Sequence, residues 1–239
     1  MLKGNLESER LYYKKFNELT EAQRKVVADS WANPINARYN SMKDPYKSVK
    51  EMCTWEEPTS WGNYYRVAFL KGSDEIVGTC RFGRFYESKT DDVWDFGFNV
   101  VLKHWFQGFG SEILHAIVEK AKEYGVRKIR GGADIENFGS YKAMVRNGFV
   151  YTGKDEDGDY EYYLDMSNSP LTKNQIEQNW EKHLRQAEED FGKEKFDRLM
   201  LVNTEIAKLV TRLQQGEDEN GLIKEYFDKL DQIEPFKFS

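Results

Sequence analysis

The chain has 239 residues, a formal net charge of −6, and charged side chains at 32% of its positions. This length suits one domain of average size with a smaller appendage. The sequence has no apolar run of the roughly twenty residues that a membrane span needs, and its acidic balance argues against a nucleic-acid surface and is compatible with a cationic amine substrate.

The N-terminal segment is charged and lacks the apolar core of a signal peptide, so a cytoplasmic location is the default expectation. Cys53 and Cys80 have neither metal-ligand nor redox-motif spacing, and we expect both to be free thiols. The three histidines are scattered and predict no metal site: His104, His115 and His183.

The first half of the chain reads as strands with interspersed helices. Apolar residues at helical spacing predict a helix over residues 20–31, which stops before Pro34. A looser helical pattern covers residues 45–55. Predicted strands cover residues 8–16, 64–70, 75–87 and 93–102, the second and third being joined by a turn at residues 71–74.

A glycine-containing turn at residues 105–111 joins the last of these strands to a predicted helix over residues 111–124. Gly108 and Gly110 allow backbone conformations in which several N–H groups point into one concavity. The helix adds its own unpaired N–H groups and the positive end of its dipole, so the turn is a candidate phosphate site. The alternative is a tight turn that simply packs a helix on a sheet.

The pattern then continues with a strand over residues 127–134, a short helix that closes at Gly148, and a hairpin of strands 149–153 and 159–166. Strands with interspersed helices and one strand-helix-strand crossover predict an α+β fold, in which helices cover both faces of a mixed, mostly antiparallel sheet.

After Met166 the composition changes. Residues 167–170 read as a linker, and the rest shows helical periodicity only, with Gly192, Gly216 and Gly221 between three predicted helices. We therefore expect a domain at residues 1–166 and a helical extension at residues 167–239. The extension packs either on that domain or on a second copy of it, as in a homodimer.

Two motifs in order carry a family resemblance: the turn from His104 to Glu112, and the later segment with Asn137, Ser140 and the closing Gly148-Phe149. With them, residues 6–166 resemble the GCN5-related N-acetyltransferases and imply their fold. Trp105 stands where Arg or Gln is usual, as in the branch resembling the ribosomal-protein alanine N-acetyltransferases. The extension is faintly similar to thiopeptide-binding domains of the TipA type.

The resemblance implies acetyl-coenzyme A as co-substrate, without a metal, its pyrophosphate on the turn and its pantetheine arm paired with the preceding strand. Asn137 carries over as a polar cofactor-side residue, or serves as a helix N-cap, or both. Gly131 and Gly132 are compatible with strands that splay around the cofactor, or with a bulge. The implied cofactor-binding residues are Asn99, Val100, Val101, Leu102, Gln107, Gly108, Phe109, Gly110, Ser111 and Asn137.

The resemblance also suggests catalytic residues. Met144 stands where many members have the tyrosine that protonates the leaving thiolate, so Ser140 becomes the candidate acid, with Tyr141 an outside candidate. Alternatively, Ser140 is an ordinary helix residue. Asp95 is the candidate base, although such acids more often lie on solvated loops, as Glu87, Asp91 and Asp92 nearby could.

The acceptor is an amine, either a protein or peptide N-terminus or a small amine such as an antibiotic or polyamine. Several aromatic residues could line its pocket or belong to the core: Trp31, Tyr39, Trp55, Trp61 and Tyr64. A third hypothesis makes the protein a ligand-binding or resistance protein whose helical extension captures the ligand.

Overall fold

The computed structural model describes residues 4–39, 42–88, 90 and 92–233. A seven-stranded sheet runs through this part of the chain in the order β1-β2-β3-β4-β5-β7-β6. Neighbouring strands are antiparallel except for β4 and β5, which are parallel. The strands are β1 (Leu11–Lys14), β2 (Asn63–Leu70), β3 (Ile76–Arg84), β4 (Val93–Val100), β5 (Lys128–Ala133), β6 (Val150–Lys154) and β7 (Tyr160–Asp165).

Helices cover both faces of the sheet and continue beyond it. They are α1 (Glu21–Ala32), α2 (Pro34–Ala37), α3 (Pro45–Met52), α4 (Phe109–Glu123), α5 (Phe138–Arg146), α6 (Lys173–Phe191), α7 (Lys193–Gln214) and α8 (Glu219–Ile233). Local sequence explains several of their starts. The hydroxyl oxygens of Thr20 and Thr172 each accept a hydrogen bond from the N–H three residues on, in capping boxes with Gln23 and Gln175.

Strands β4 and β5 separate soon after they begin. Their pairing joins Val93–Asp95 to Lys128–Arg130, and among the described residues β4 pairs only with β3 from residue 96 onward. Bulky side chains lie at the point of divergence: a Cβ atom on Gly131 would be 2.7 Å from both the Met144 sulfur and the Phe96 ring. Glycine therefore lets β5 pass this pair, and β5 does not pair with the backbone of β4 beyond Asp95.

The sheet has a core on each face because successive strand residues point to opposite sides. Val67 and Phe69 of β2 pack with α1 and α3. Ala68, between them in sequence, belongs instead to the larger core that holds α4 and α5.

The C-terminal helices pack on the sheet domain of the same chain. Ala187 of α6 and Leu199 of α7, 0% and 1% exposed, belong to the same core cluster as α4 and α5. Farther along, α7 and α8 cover Ile35 and Leu102 in a third cluster. The extension thus shares the buried apolar surface that stabilises the sheet domain.

The predicted fold class, with a mixed, mostly antiparallel sheet between helices and a helical C-terminal segment, is confirmed. Details differ from the predictions. Helix α4 begins at Phe109 rather than near residue 111, since Gly108 has a left-handed conformation (φ 82°) and acts as N-cap. Gly221 lies inside α8 and does not separate helices. Among the described helices, none is both long and apolar enough to cross a lipid bilayer.

His183 lies at the centre of the contact between α6 and the sheet domain. It is 2% exposed, its Nδ1 shares a hydrogen bond with the Tyr162 hydroxyl, and its ring stacks on Trp180. Burial lowers the pKa of His183 to about 4. The docked arrangement therefore needs a neutral imidazole.

This burial predicts a pH dependence of stability. In the unfolded chain, His183 has its ordinary pKa of about 6.5 and binds a proton below that pH, whereas in the folded chain it stays neutral down to about pH 4. The free energy of unfolding therefore falls as the pH drops from about 6.5 towards 4. We expect the group to remove about 2 kcal/mol of unfolding free energy between pH 7.5 and 5. Urea titrations at both pH values check this.

The quantity to compare is the change in unfolding free energy between pH 7.5 and 5, measured for the wild type and for two variants. His183→Gln should lose this contribution to the pH dependence, whereas the control His115→Gln, at an exposed position of α4, should retain it. Equal pH dependence in the wild type and His183→Gln would contradict the prediction.

Candidate functional site

A cavity of about 410 Å³ opens where β4 has separated from β5. Its walls come from the end of β4, the turn before α4, the first turns of α5, and the segment around α2. Helices α6 and α7 complete it. The predicted glycine turn and the predicted Asn137 segment therefore face the same space.

The start of α4 presents backbone donors to this cavity. Gly108 is the N-cap, and no side chain caps the helix. The first N–H groups of a helix have no intrahelical acceptor, and the helix dipole adds positive potential there. Gly110 brings the helix close to β4, since a Cβ at that position would be 3.0 Å from the Phe98 ring. The arrangement can bind an anion.

Arg10, which precedes β1, holds this turn in place. Its Nη1 donates to the Gln107 carbonyl at 3.1 Å, its Nε donates to Glu112 at 2.6 Å, and its guanidinium lies 4.0 Å from the Phe109 ring centroid. Burial opposes ionisation of Glu112, but hydrogen bonds from the Arg10 N–H, the Ser8 hydroxyl and the Arg10 guanidinium keep its pKa below the ordinary value. The turn is thereby preorganised.

Trp105 fixes the end of β4. Its indole Nε1 donates to the Val100 carbonyl at 2.8 Å, and its ring packs against the cluster formed by α7 and α8. The Asn36 amide also reaches the same carbonyl, at 3.4 Å. A tryptophan here has a structural role that links the strand, the turn and the C-terminal helices.

Seven of the ten predicted cofactor-binding residues line the cavity: Asn99, Val100, Gly108, Phe109, Gly110, Ser111 and Asn137. The other three do not. Val101 packs on the α1 side of the sheet, and Leu102 is buried beneath α7 and α8. Gln107 is exposed and donates its side-chain amide to the Lys103 carbonyl.

Asn137 and Ser140 lie together on the cavity wall. The Asn137 side-chain oxygen accepts a hydrogen bond from the Ser140 N–H at 3.1 Å, which is the N-cap arrangement. Both side chains line the cavity, so the cap and a ligand-facing position coincide.

The two tyrosines considered as proton donors, Tyr141 and Tyr39, differ in their access to the cavity. Tyr141 is fully buried and donates its hydroxyl to the Ala133 carbonyl, and burial raises its pKa. Met144 is buried beside Gly131. Tyr39 lines the cavity, and burial raises its pKa, although Arg38 opposes the shift. Tyr39 therefore keeps its phenolic proton at neutral pH and can donate it.

Asp95 does not line the cavity. Both of its oxygens accept hydrogen bonds from the Arg81 guanidinium, at 2.8 and 2.9 Å, and its side chain is 15% exposed. A carboxylate held in this bidentate pair stabilises β3 against β4. Of the neighbouring acids, Asp92 is in an exposed ion pair with Arg127, and Asp91 lies outside the described residues.

The predicted acceptor-pocket aromatics separate into groups. Trp31 and Tyr64 are buried in the two cores, Trp55 packs edge-on against Tyr65, and Trp61 is 66% exposed. Tyr39 alone of the five lines this cavity.

Sequence reasoning missed two groups of cavity residues. Lys142 and Arg146 are four residues apart on α5 and therefore share one face of the helix, which the helical pattern could have indicated. The residues from α6 and α7 had no such signal, because only tertiary packing brings them here: Trp180, Leu184, Met200 and Asn203. Within the described residues, no group of three or more His, Cys, Asp or Glu side chains is arranged to hold a metal ion.

Comparison with known proteins shows the family and the fold of the chain. The family model described as an acetyltransferase (GNAT) domain matches residues 15–150, more than half of the chain. A search of curated proteins finds no match.

Several solved structures share the fold. A GNAT-family acetyltransferase from Bacillus anthracis is 18% identical, with a TM-score of 0.54 over 68% of this chain and 99% of that one. A candidate ribosomal-protein-serine acetyltransferase from Vibrio cholerae is 15% identical, with a TM-score of 0.53 over 69% and 98%. The aminoglycoside acetyltransferase AAC(6')-Ib, solved with coenzyme A, is 15% identical, with a TM-score of 0.54 over 70% and 98%. Likeness at this identity shows the fold alone.

Proposed function

The chain belongs to the GNAT acetyltransferase family, and from that premise we propose that it transfers an acetyl group from acetyl-coenzyme A to a primary amine, which attacks the thioester directly. The observation that carries the proposal is the uncapped start of α4 beside the part of β4 that β5 does not pair with, both facing one cavity. Fold alone would not specify the reaction.

The residues present fit coenzyme A. Its pyrophosphate requires several convergent donors, and the N–H groups at residues 109–111 supply them without a competing side-chain cap. Lys142 and Arg146 are exposed at the same cavity, and neither is in an ion pair in the described part of the chain, so both can pair with phosphate. Bound acetyl-coenzyme A supplies the activated acyl group, as a thioester.

The protein's part in acyl transfer is to orient the reactants, exclude water and provide a proton to the leaving thiolate. Ser140 is our proposed donor, since it lines the cavity one helical turn from Asn137. The alternative donor is the phenol of Tyr39, which also lines the cavity. Asp95 remains only a predicted base, because it would have to release Arg81 before accepting a proton.

The acidic balance of the chain, with a formal net charge of −6, supports a cationic amine as the acceptor. Negative potential at the surface attracts an ammonium group before it loses its proton. We propose a protein or peptide N-terminus first, from the Trp105 motif, and a small amine second.

We retain the proposed division into a domain at residues 1–166 and an extension at residues 167–239. The ligand-capture alternative has less support, because the buried apolar residues of α6, α7 and α8 pack on the sheet domain and on one another, and the exposed Met200 faces the same cavity as the glycine turn. The TipA resemblance therefore suggests no separate function.

The experiment that tests the function is release of free coenzyme A from acetyl-coenzyme A by the full chain. The panel contains N-terminal peptides, polyamines and aminoglycosides. We expect turnover with one amine class and little with the others. Tight binding of acetyl-coenzyme A without turnover on any amine would contradict an acceptor in these classes.

Substitution of the turn glycine should weaken cofactor binding. In Gly108→Val, a branched side chain at φ 82° strains the turn that presents the donors. We expect coenzyme A to bind at least tenfold more weakly, about 1.4 kcal/mol, by isothermal titration calorimetry.

The matched control is Gly125→Val, at the opposite end of α4. That glycine also has positive φ, 66°, and nothing lies within 4 Å of the added Cβ. It should lose comparable stability but retain affinity. Equal affinity in both variants would show that the turn does not hold the pyrophosphate.

Removal of the proposed proton donor should act on turnover. We expect Ser140→Ala to lower kcat at least tenfold while coenzyme A affinity changes less than twofold, since the lost interaction belongs to the transition state. Tyr39→Phe should change kcat by a smaller factor. The reverse order of the two effects would assign the proton to Tyr39.

A further inference from the structure

The cavity has a wall that the family match does not include. Trp180 and Leu184 of α6 and Met200 and Asn203 of α7 line it together with the glycine turn. The matched family model ends at residue 150, so these four side chains come from the extension. In the folded chain they face the space that holds the proposed pyrophosphate site.

The packing of α6 holds this wall in place. Between the two cavity-lining positions of the helix lies His183, which is buried against Tyr162. The Trp180 ring stacks on His183, with centroids 5.2 Å apart and planes at 24°. Trp180 is thus partly buried against the core, while the residue still lines the cavity.

The surroundings of Trp180 suit a nucleotide that carries phosphate. The Lys142 ammonium lies 5.7 Å from the indole centroid, and Arg146 is one turn farther along α5. Both cations are exposed. An aromatic surface packs against a purine base, and neighbouring cations pair with phosphate oxygens.

On α7, the cavity side is apolar and open. Met200 is 40% exposed, and Phe106, which also lines the cavity, is 64% exposed. Phe106 also has a positive φ, 61°, which is unfavourable for a side chain of this kind. Exposed apolar residues and backbone strain at one cavity are both typical of a surface that a ligand covers.

We infer that α6 and α7 form part of the coenzyme A site, in which Trp180 and Lys142 hold the nucleotide half of the molecule and Met200 contacts it from α7. This inference rests on the proposed function. It assigns the extension a direct role in binding, in addition to its packing on the sheet domain.

The first test measures the affinities of coenzyme A and adenosine 3′,5′-bisphosphate by calorimetry on the full chain. Trp180→Leu keeps an apolar contact with His183 but removes the aromatic surface, and we expect both ligands to bind at least fivefold more weakly. Trp180→Phe should recover most of the affinity. The control Trp61→Leu, at a tryptophan outside the cavity, should match the wild type.

The second test does not depend on the folding of the Trp180 variants. Met200→Ala should weaken coenzyme A binding at least threefold, whereas Leu201→Ala should not. Leu201 is the adjacent residue, is 43% exposed, and does not line the cavity. Thermal melts establish which variants fold.

The outcomes separate the two proposals. A wild-type protein that does not bind coenzyme A overturns the proposed function itself. If the wild type binds, and folded Trp180→Leu and Met200→Ala bind equally well, the cofactor proposal stands and the role of the extension is overturned. If Trp180→Leu does not fold, wild-type affinity in Met200→Ala overturns the inference.

Discussion

The divergence of β4 from β5 is the constraint on which the rest of the site depends. A sheet normally satisfies the backbone groups of each inner strand from both sides. Here the Phe96 ring and the Met144 side chain lie against Gly131, and pairing between the two strands stops after Asp95. The result is a cavity beside the end of β4, where β5 no longer pairs with that strand. In our proposal a ligand pairs with the β4 backbone before Val100, whose carbonyl is already bonded to Trp105 and Asn36.

A ligand can bind at this opening with little ordering cost only if the segments around it are held in position. Arg10 joins the segment before β1 to the turn before α4, through the Gln107 carbonyl and the Glu112 carboxylate. Trp105 joins the end of β4 to the C-terminal helices. The backbone donors of the turn are thus positioned before a ligand arrives, which reduces the ordering cost of binding.

In our proposal the C-terminal helices connect stability to binding. They bury apolar surface in the same core that supports α4 and α5, and their packing encloses the neutral His183. The same residues that dock α6 also place Trp180 beside Lys142. Stability and cofactor affinity should therefore change together when this contact is altered, and only variants at exposed positions separate them.

The sequence alone indicated the seven strands, the described helices other than α2, the α+β class and the two motifs, because apolar periodicity and glycine positions are local properties. It also indicated that the glycine turn precedes a helix, although the helix begins two residues earlier than predicted, since a left-handed glycine can itself be the N-cap. Tertiary structure decided the rest. The ion pair of Asp95 with Arg81, the burial of Tyr141 and the positions of Trp180 and Met200 at the cavity all depend on contacts between distant parts of the chain. Such contacts leave no periodic trace in the sequence, because packing depends on the shapes of whole surfaces that meet only after folding.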